Sequence, residues 1–98
     1  MTESTPTPSP AESPVEAPAP TTGWRTVVHN DPVNLMSYVQ WVFESYFGMD
    51  HKTAYMKMMQ VHHNGRAVVS NGQREQMETD AQAMHSYGLW ATIEADAQ

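Results

Sequence analysis

The chain has 98 residues, a formal net charge of −6 at pH 7, no cysteine, eight methionines and five histidines. An acidic balance without clustered Lys and Arg argues against nucleic acid and against an anionic membrane as partners. The lack of cysteine removes disulfides, thiolate nucleophiles and Cys-based zinc sites together. No segment approaches the roughly 20 apolar residues of a membrane span, and the N-terminus has neither the basic start nor the apolar run of a secretory signal. A cytoplasmic protein is expected.

Residues 1–22 hold six of the seven prolines, Pro6, Pro8, Pro10, Pro14, Pro18 and Pro20, among Thr, Ser, Ala and three Glu. Such a stretch buries too little apolar area to offset its ordering entropy, so a disordered extension with polyproline II character is expected. Fully extended, it would reach roughly 70 Å at about 3.1 Å per residue. Residues 23–98 are expected to form one small folded domain.

Trp24–His29 reads as a strand that stops at the polar cluster His29-Asn30-Asp31, with Pro32 turning the chain. Asn34 is the expected N-cap of a helix running to about Phe47, whose stripe is Leu35, Val39, Val42, Phe43, Tyr46 and Phe47. Gly48 stops it, and Asp50 caps a second helix over about His51–His63 with Ala54, Met58, Val61 and His62 on one stripe. Asn64-Gly65 is a turn signal before a short strand, Arg66–Ser70. Asn71-Gly72 is expected to break the chain again, with Ser70 or Asn71 capping a third helix over about Gln73–Tyr87 that turns Met77, Ala81 and Met84 inward. Gly88 ends that helix, and Leu89–Glu94 alternates as a last strand. The order β-α-α-β-α-β gives an α+β domain, one sheet with helices packed on a face.

The five histidines, His29, His51, His62, His63 and His85, include no pair at the i, i+4 spacing with which one helix presents two imidazoles, and there is no HExxH pattern. No metal site and no cofactor is therefore expected. An Asp31–His62 acid–base pair has no Ser in a GxSxG context and no phosphate loop to work with, so no enzyme is expected. A lone histidine on an apolar stripe is usually a satisfied core residue. If Asn30 and Asp31 face His62, however, the three make an acceptor set suited to an ammonium group: amide oxygen, carboxylate and neutral imidazole nitrogen. Met36, Val39, Met58 and Val61 would then form an apolar, deformable wall beside it. A free α-amino group carrying a bulky apolar side chain has this polarity pattern.

Val28-His29-Asn30-Asp31, then Met36 with Tyr38-Val39, then Met58 with Val61-His62, Gly65 and Ala67, and finally Gly88-Leu89 with Ile93-Glu94 together resemble the ClpS family. These are adaptors that deliver N-degron substrates to Clp ATPase–protease machines, and the resemblance runs from about Trp24 to Asp96. It implies a three-stranded antiparallel sheet against three helices and a disordered N-terminal extension. It also implies that Asn30, Asp31 and His62 hold the substrate's α-amino group, with Met36 as the gate. Asn34, Val39, Met58, Val61 and Leu89 complete the pocket, and Glu75 docks the N-domain of a Clp AAA+ ATPase of ClpA or ClpC type. By the same resemblance the extension enters the ATPase pore. Substrates would be proteins beginning with Leu, Phe, Tyr or Trp.

The chain departs from the family pattern at Pro32, where a second Asp is common, and at Asn34-Leu35, where Thr-Pro is common. Asp80 falls where some members have Lys, which bears on the choice of ATPase. A domain of ribosomal-stalk type shares the topology and would bind translation GTPases through a helix surface instead of a pocket.

Overall fold

The computed structural model describes residues 23–96. The expected extension at 1–22 lies outside the described residues. Six elements follow in order: β1 (Trp24–His29), α1 (Met36–Phe47), α2 (His51–Asn64), β2 (Arg66–Gly72), α3 (Arg74–Ser86) and β3 (Trp90–Ala95). The strands form one antiparallel sheet in the order β2-β1-β3, so the first strand of the chain is the central one. Helix α3 packs on β1 and β3, α2 on β2, and α1 on α2.

The centre of the sheet explains how the core closes. Val28 pairs with Ala67 on one side and Ala91 on the other, and all three are buried. Two alanines flanking a valine leave the space above them for larger side chains, and Val39, Phe43 and Met84 belong to the same buried cluster. Each fully buried large side chain contributes roughly 1.5–3 kcal/mol. Asp80 also lies inside, 5% exposed. Its carboxylate accepts from the hydroxyls of Tyr46 and Ser70, both at 2.8 Å, and from the Gln76 amide at 3.0 Å. Three donors from α1, β2 and α3 offset the cost of burying the carboxylate. Asp80 is therefore an internal tie, where a solvated position in a polar run is expected from the sequence.

Several boundaries differ from the sequence reading. Asn34 does not cap α1: the N-cap residue is Leu35, and no described side chain bonds the first turn. The Asp31 carboxylate accepts from the Val33 N–H at 2.8 Å, an Asx turn that carries the chain one residue further before the helix begins. That leaves Leu35 off the buried stripe and 73% exposed. Strand β2 continues through Asn71 and Gly72, which pair with Arg25 and Trp24. The ladder to β1, with its bulge between Thr26 and Val27, overrides the local turn preference of Asn-Gly. Neither Ser70 nor Asn71 caps α3; Gln73 is the N-cap residue and bonds nothing through its side chain. Asp50 does cap α2, accepting from the Thr53 N–H at 2.7 Å.

Candidate functional site

The end of β1, the turn after it, the start of α1 and the last turns of α2 meet at one end of the sheet. Two local features bring them there. Gly65 ends α2 in the left-handed region, φ 88°, which only glycine enters without strain. Its carbonyl then accepts from the Asn30 N–H at 2.9 Å, fixing the turn after β1 against the end of α2. On the other side, the Asn34 side chain donates to the Gly88 carbonyl at 2.9 Å, holding the segment before α1 against the loop that leads into β3. Leu89, whose N–H reaches the Met84 carbonyl at 3.0 Å, is buried just beyond.

The result is a cleft of about 330 Å³ including its open mouth, lined by Val28, His29, Asn30, Asp31, Asn34, Met36, Val39, Met58, Val61, His62 and Leu89. Its floor is apolar: Val39, Met58, Val61 and Leu89 are each less than a tenth exposed. Polar groups stand nearer the surface. Asp31 and Asn34 are half-buried, while Asn30 and His62 are exposed. Met36, the first residue of α1, is 37% exposed.

All nine residues assigned to this site from the sequence line the one cleft. One differs in setting: His62 is exposed at the end of α2, off the buried stripe formed by Ala54, Met58 and Val61. Position 62 sits one step round the helix from Val61, about 100°, which is enough to turn it away from the core. Two lining residues were not anticipated, Val28 and His29. The strand pattern marked Val28 as buried, but nothing local says that the end of that strand floors a cleft.

His29, besides lining the cleft, meets side chains of β3. Its ring lies tilted against Trp90, centroids 4.7 Å apart, and Nε2 lies 2.8 Å from the Thr92 hydroxyl. Burial pushes its imidazole below the ordinary value, the Arg66 guanidinium adds to that, and Glu94 opposes it. Glu75 is elsewhere: it lies exposed in the first turn of α3, on a shallow groove shared with Glu78, Gln82 and His85.

A cleft with an apolar floor and acceptors at its mouth suits one end of a molecule that joins an apolar group to a hydrogen-bond donor. Comparison with known proteins gives that geometry a family. A family model described as ATP-dependent Clp protease adaptor protein ClpS matches residues 19–92. The chain belongs to the ClpS family of Clp protease adaptors. The ClpS adapter protein of Streptomyces coelicolor is 62% identical over 86 residues, 88% of this chain and 90% of that one. The ClpS adapter protein of Mycobacterium tuberculosis is 53% identical over 73 residues, 74% of this chain and 72% of that one. The solved structure of Agrobacterium tumefaciens ClpS2 bound to L-phenylalaninamide superposes with a TM-score of 0.74 at 27% identity, covering 78% of this chain and 99% of that one.

Proposed function

We propose that this adaptor recognises proteins whose first residue is Leu, Phe, Tyr or Trp and delivers them to a Clp AAA+ ATPase in the cytoplasm. The observation that carries the reading is the polarity of this cleft. Asn30, Asp31 and His62 stand at its mouth, and Val39, Met58, Val61 and Leu89 form its floor. L-phenylalaninamide, the ligand of the Agrobacterium relative, has the two features such a cleft selects, a free α-amine and a bulky apolar side chain.

On this reading the Asp31 carboxylate, the Asn30 amide oxygen and a neutral His62 nitrogen accept from the three N–H groups of the ammonium. The side chain passes between Met36 and the Asn34 segment into the apolar floor. The enclosed part of the cleft has room for little more than one water, so entry displaces the flexible Met36 and Met58 side chains. Burial of the side chain contributes roughly 1.5–3 kcal/mol and each bond to the charged amine about 1.5–3 kcal/mol. After the cost of association, that corresponds to a dissociation constant on the order of micromolar. Pro32 leaves one carboxylate, Asp31, in the turn where two are common in the family.

Glu75 docks the ATPase N-domain from the exposed face of α3, on a groove that shares no residue with the cleft, so substrate and ATPase bind at once. Whether a ClpA-type or ClpC-type ATPase is engaged is decided on that face, to which buried Asp80 contributes nothing. Residues 1–22 enter the ATPase pore. The role is binding without turnover. A ribosomal-stalk type of interaction would use a helix surface and leave the cleft without a part to play, and no feature of the site favours it.

The test is a titration with short peptides opening on Leu, Phe, Tyr or Trp against the same peptides opening on Gly or Lys. Saturable binding confined to the first set supports the reading. Equal binding of both sets rejects it.

A further inference from the structure

We infer that Met36 is an oxidation site through which peroxide switches substrate recognition off. The inference rests on the pocket reading above and adds a regulation of the same cleft. The chain has eight methionines and no cysteine, so two-electron oxidation of its sulfur falls on thioethers alone. The cleft is lined by two of them in very different settings: Met58 is 5% exposed, and Met36 is 37% exposed at the mouth. Met77 and Met84 are sealed in the core. Only Met36 combines access to a dissolved oxidant with a place in the wall that a ligand must pass.

The step is an oxygen-atom transfer from hydrogen peroxide. The O–O bond breaks as an S–O bond forms at Met36 Sδ; the sulfur loses two electrons, and the peroxide accepts them and leaves as water. The product is a polar, chiral sulfoxide where the cleft needs an apolar, deformable edge. Its oxygen is an acceptor placed beside Asn30, Asp31 and His62, which are acceptors already. The first turn of α1 carries no described side-chain cap, so free backbone N–H donors in that same turn favour the oxygen turning toward the helix and away from the ligand. Sulfoxide is reversible by methionine sulfoxide reductases, so the change has an off-switch.

The experiment treats the full-length protein with hydrogen peroxide, maps each methionine by mass spectrometry over time, and titrates a Leu-initiated peptide before and after. The expected result is that Met36 oxidises together with exposed Met56, ahead of Met58, Met77 and Met84, and that affinity falls by about tenfold or more as Met36 converts. Methionine sulfoxide reductase restores it, and peptide present during treatment slows conversion of Met36. Met56→Leu, outside the cleft, keeps the peroxide response, whereas Met36→Leu shows the same affinity after treatment as before it, whatever that starting value. Full conversion of Met36 with unchanged affinity overturns the inference while leaving the pocket intact, as does conversion of Met36 no faster than Met58. Failure of the untreated protein to bind the peptide overturns the pocket reading and this inference with it.

Discussion

The Asn30 N–H donates to the Gly65 carbonyl at 2.9 Å, and this bond joins the two halves of the proposed amine site. Asn30 and Asp31 come from the turn after β1, His62 from the last turns of α2, and 32 positions of chain separate Asn30 from His62. Without a fixed contact between the turn and the helix end, their spacing would be set only by packing deeper in the core.

Gly65 holds its end of that contact at φ 88° with nothing within 4 Å of where a Cβ would stand. Gly65→Ala therefore meets no clash, only backbone strain, and should cost on the order of 1 kcal/mol. For a domain of this size that corresponds to a fall in Tm of about 4–8 °C. An unchanged Tm would show that the junction tolerates another turn geometry.

Asp31→Asn separates the two duties of that side chain. The amide oxygen still accepts from the Val33 N–H, so the turn should persist and Tm should stay within error. The charge opposite the ammonium is lost, and affinity for a Leu-initiated peptide should fall by about tenfold to a hundredfold, the equivalent of about 1.5–3 kcal/mol. Equal affinity in calorimetry would remove Asp31 from the amine site.

Met36 at the mouth should read the shape of the side chain at its root. Branching at Cβ widens Ile and Val there and fixes χ1, so the wild type should reject both. Met36→Ala should admit them, raising their affinity by about tenfold relative to Leu. Continued rejection of Ile by that variant would mean another residue does the gating.

Acid sensitivity of the fold should trace in part to Glu94. A hydrogen bond from Arg66 is the largest cause holding its carboxyl below the ordinary value of 4.5; burial opposes this, and Arg25 adds to it. A depressed folded value means the unfolded chain takes up the proton first as pH falls. The stabilisation is therefore complete above about 4.5 and is lost as pH drops through the lower folded value. Urea midpoints measured down this range should fall less steeply for Glu94→Gln than for the wild type. Parallel curves would show that the Arg66–Glu94 pair does not contribute to folding stability.

Much of this was legible in the sequence because the elements are bounded by strong punctuation. Gly48, Gly65 and Gly88 each sit at positive φ where a helix ends or a loop turns, and the helices between them repeat their apolar residues at helical spacing. What was not legible depended on partners distant in the chain. Asn71-Gly72 is a turn signal by composition, yet β1, more than forty positions earlier, draws both residues into a ladder. Asp80 sits in a polar run that looks solvated, and its burial depends on Tyr46 and Ser70, donors on other elements, together with Gln76. Asn34 has the chemistry of a cap; the Gly88 carbonyl, supplied by a distant loop, takes its side chain instead. At the cleft, residue types announced acceptors and an apolar wall, but the inclusion of Val28 and His29 follows from where the sheet ends.

The central claim is that the mouth of the cleft reads a free, charged α-amine. A Leu-initiated peptide and its N-acetylated twin, identical in every side chain, isolate that feature when titrated side by side. The free peptide should bind with a dissociation constant on the order of micromolar, and the acetylated one should show no saturable binding, since its carbonyl would face Asn30, Asp31 and His62 with no ammonium to offer. Equal affinity for the two would contradict the account.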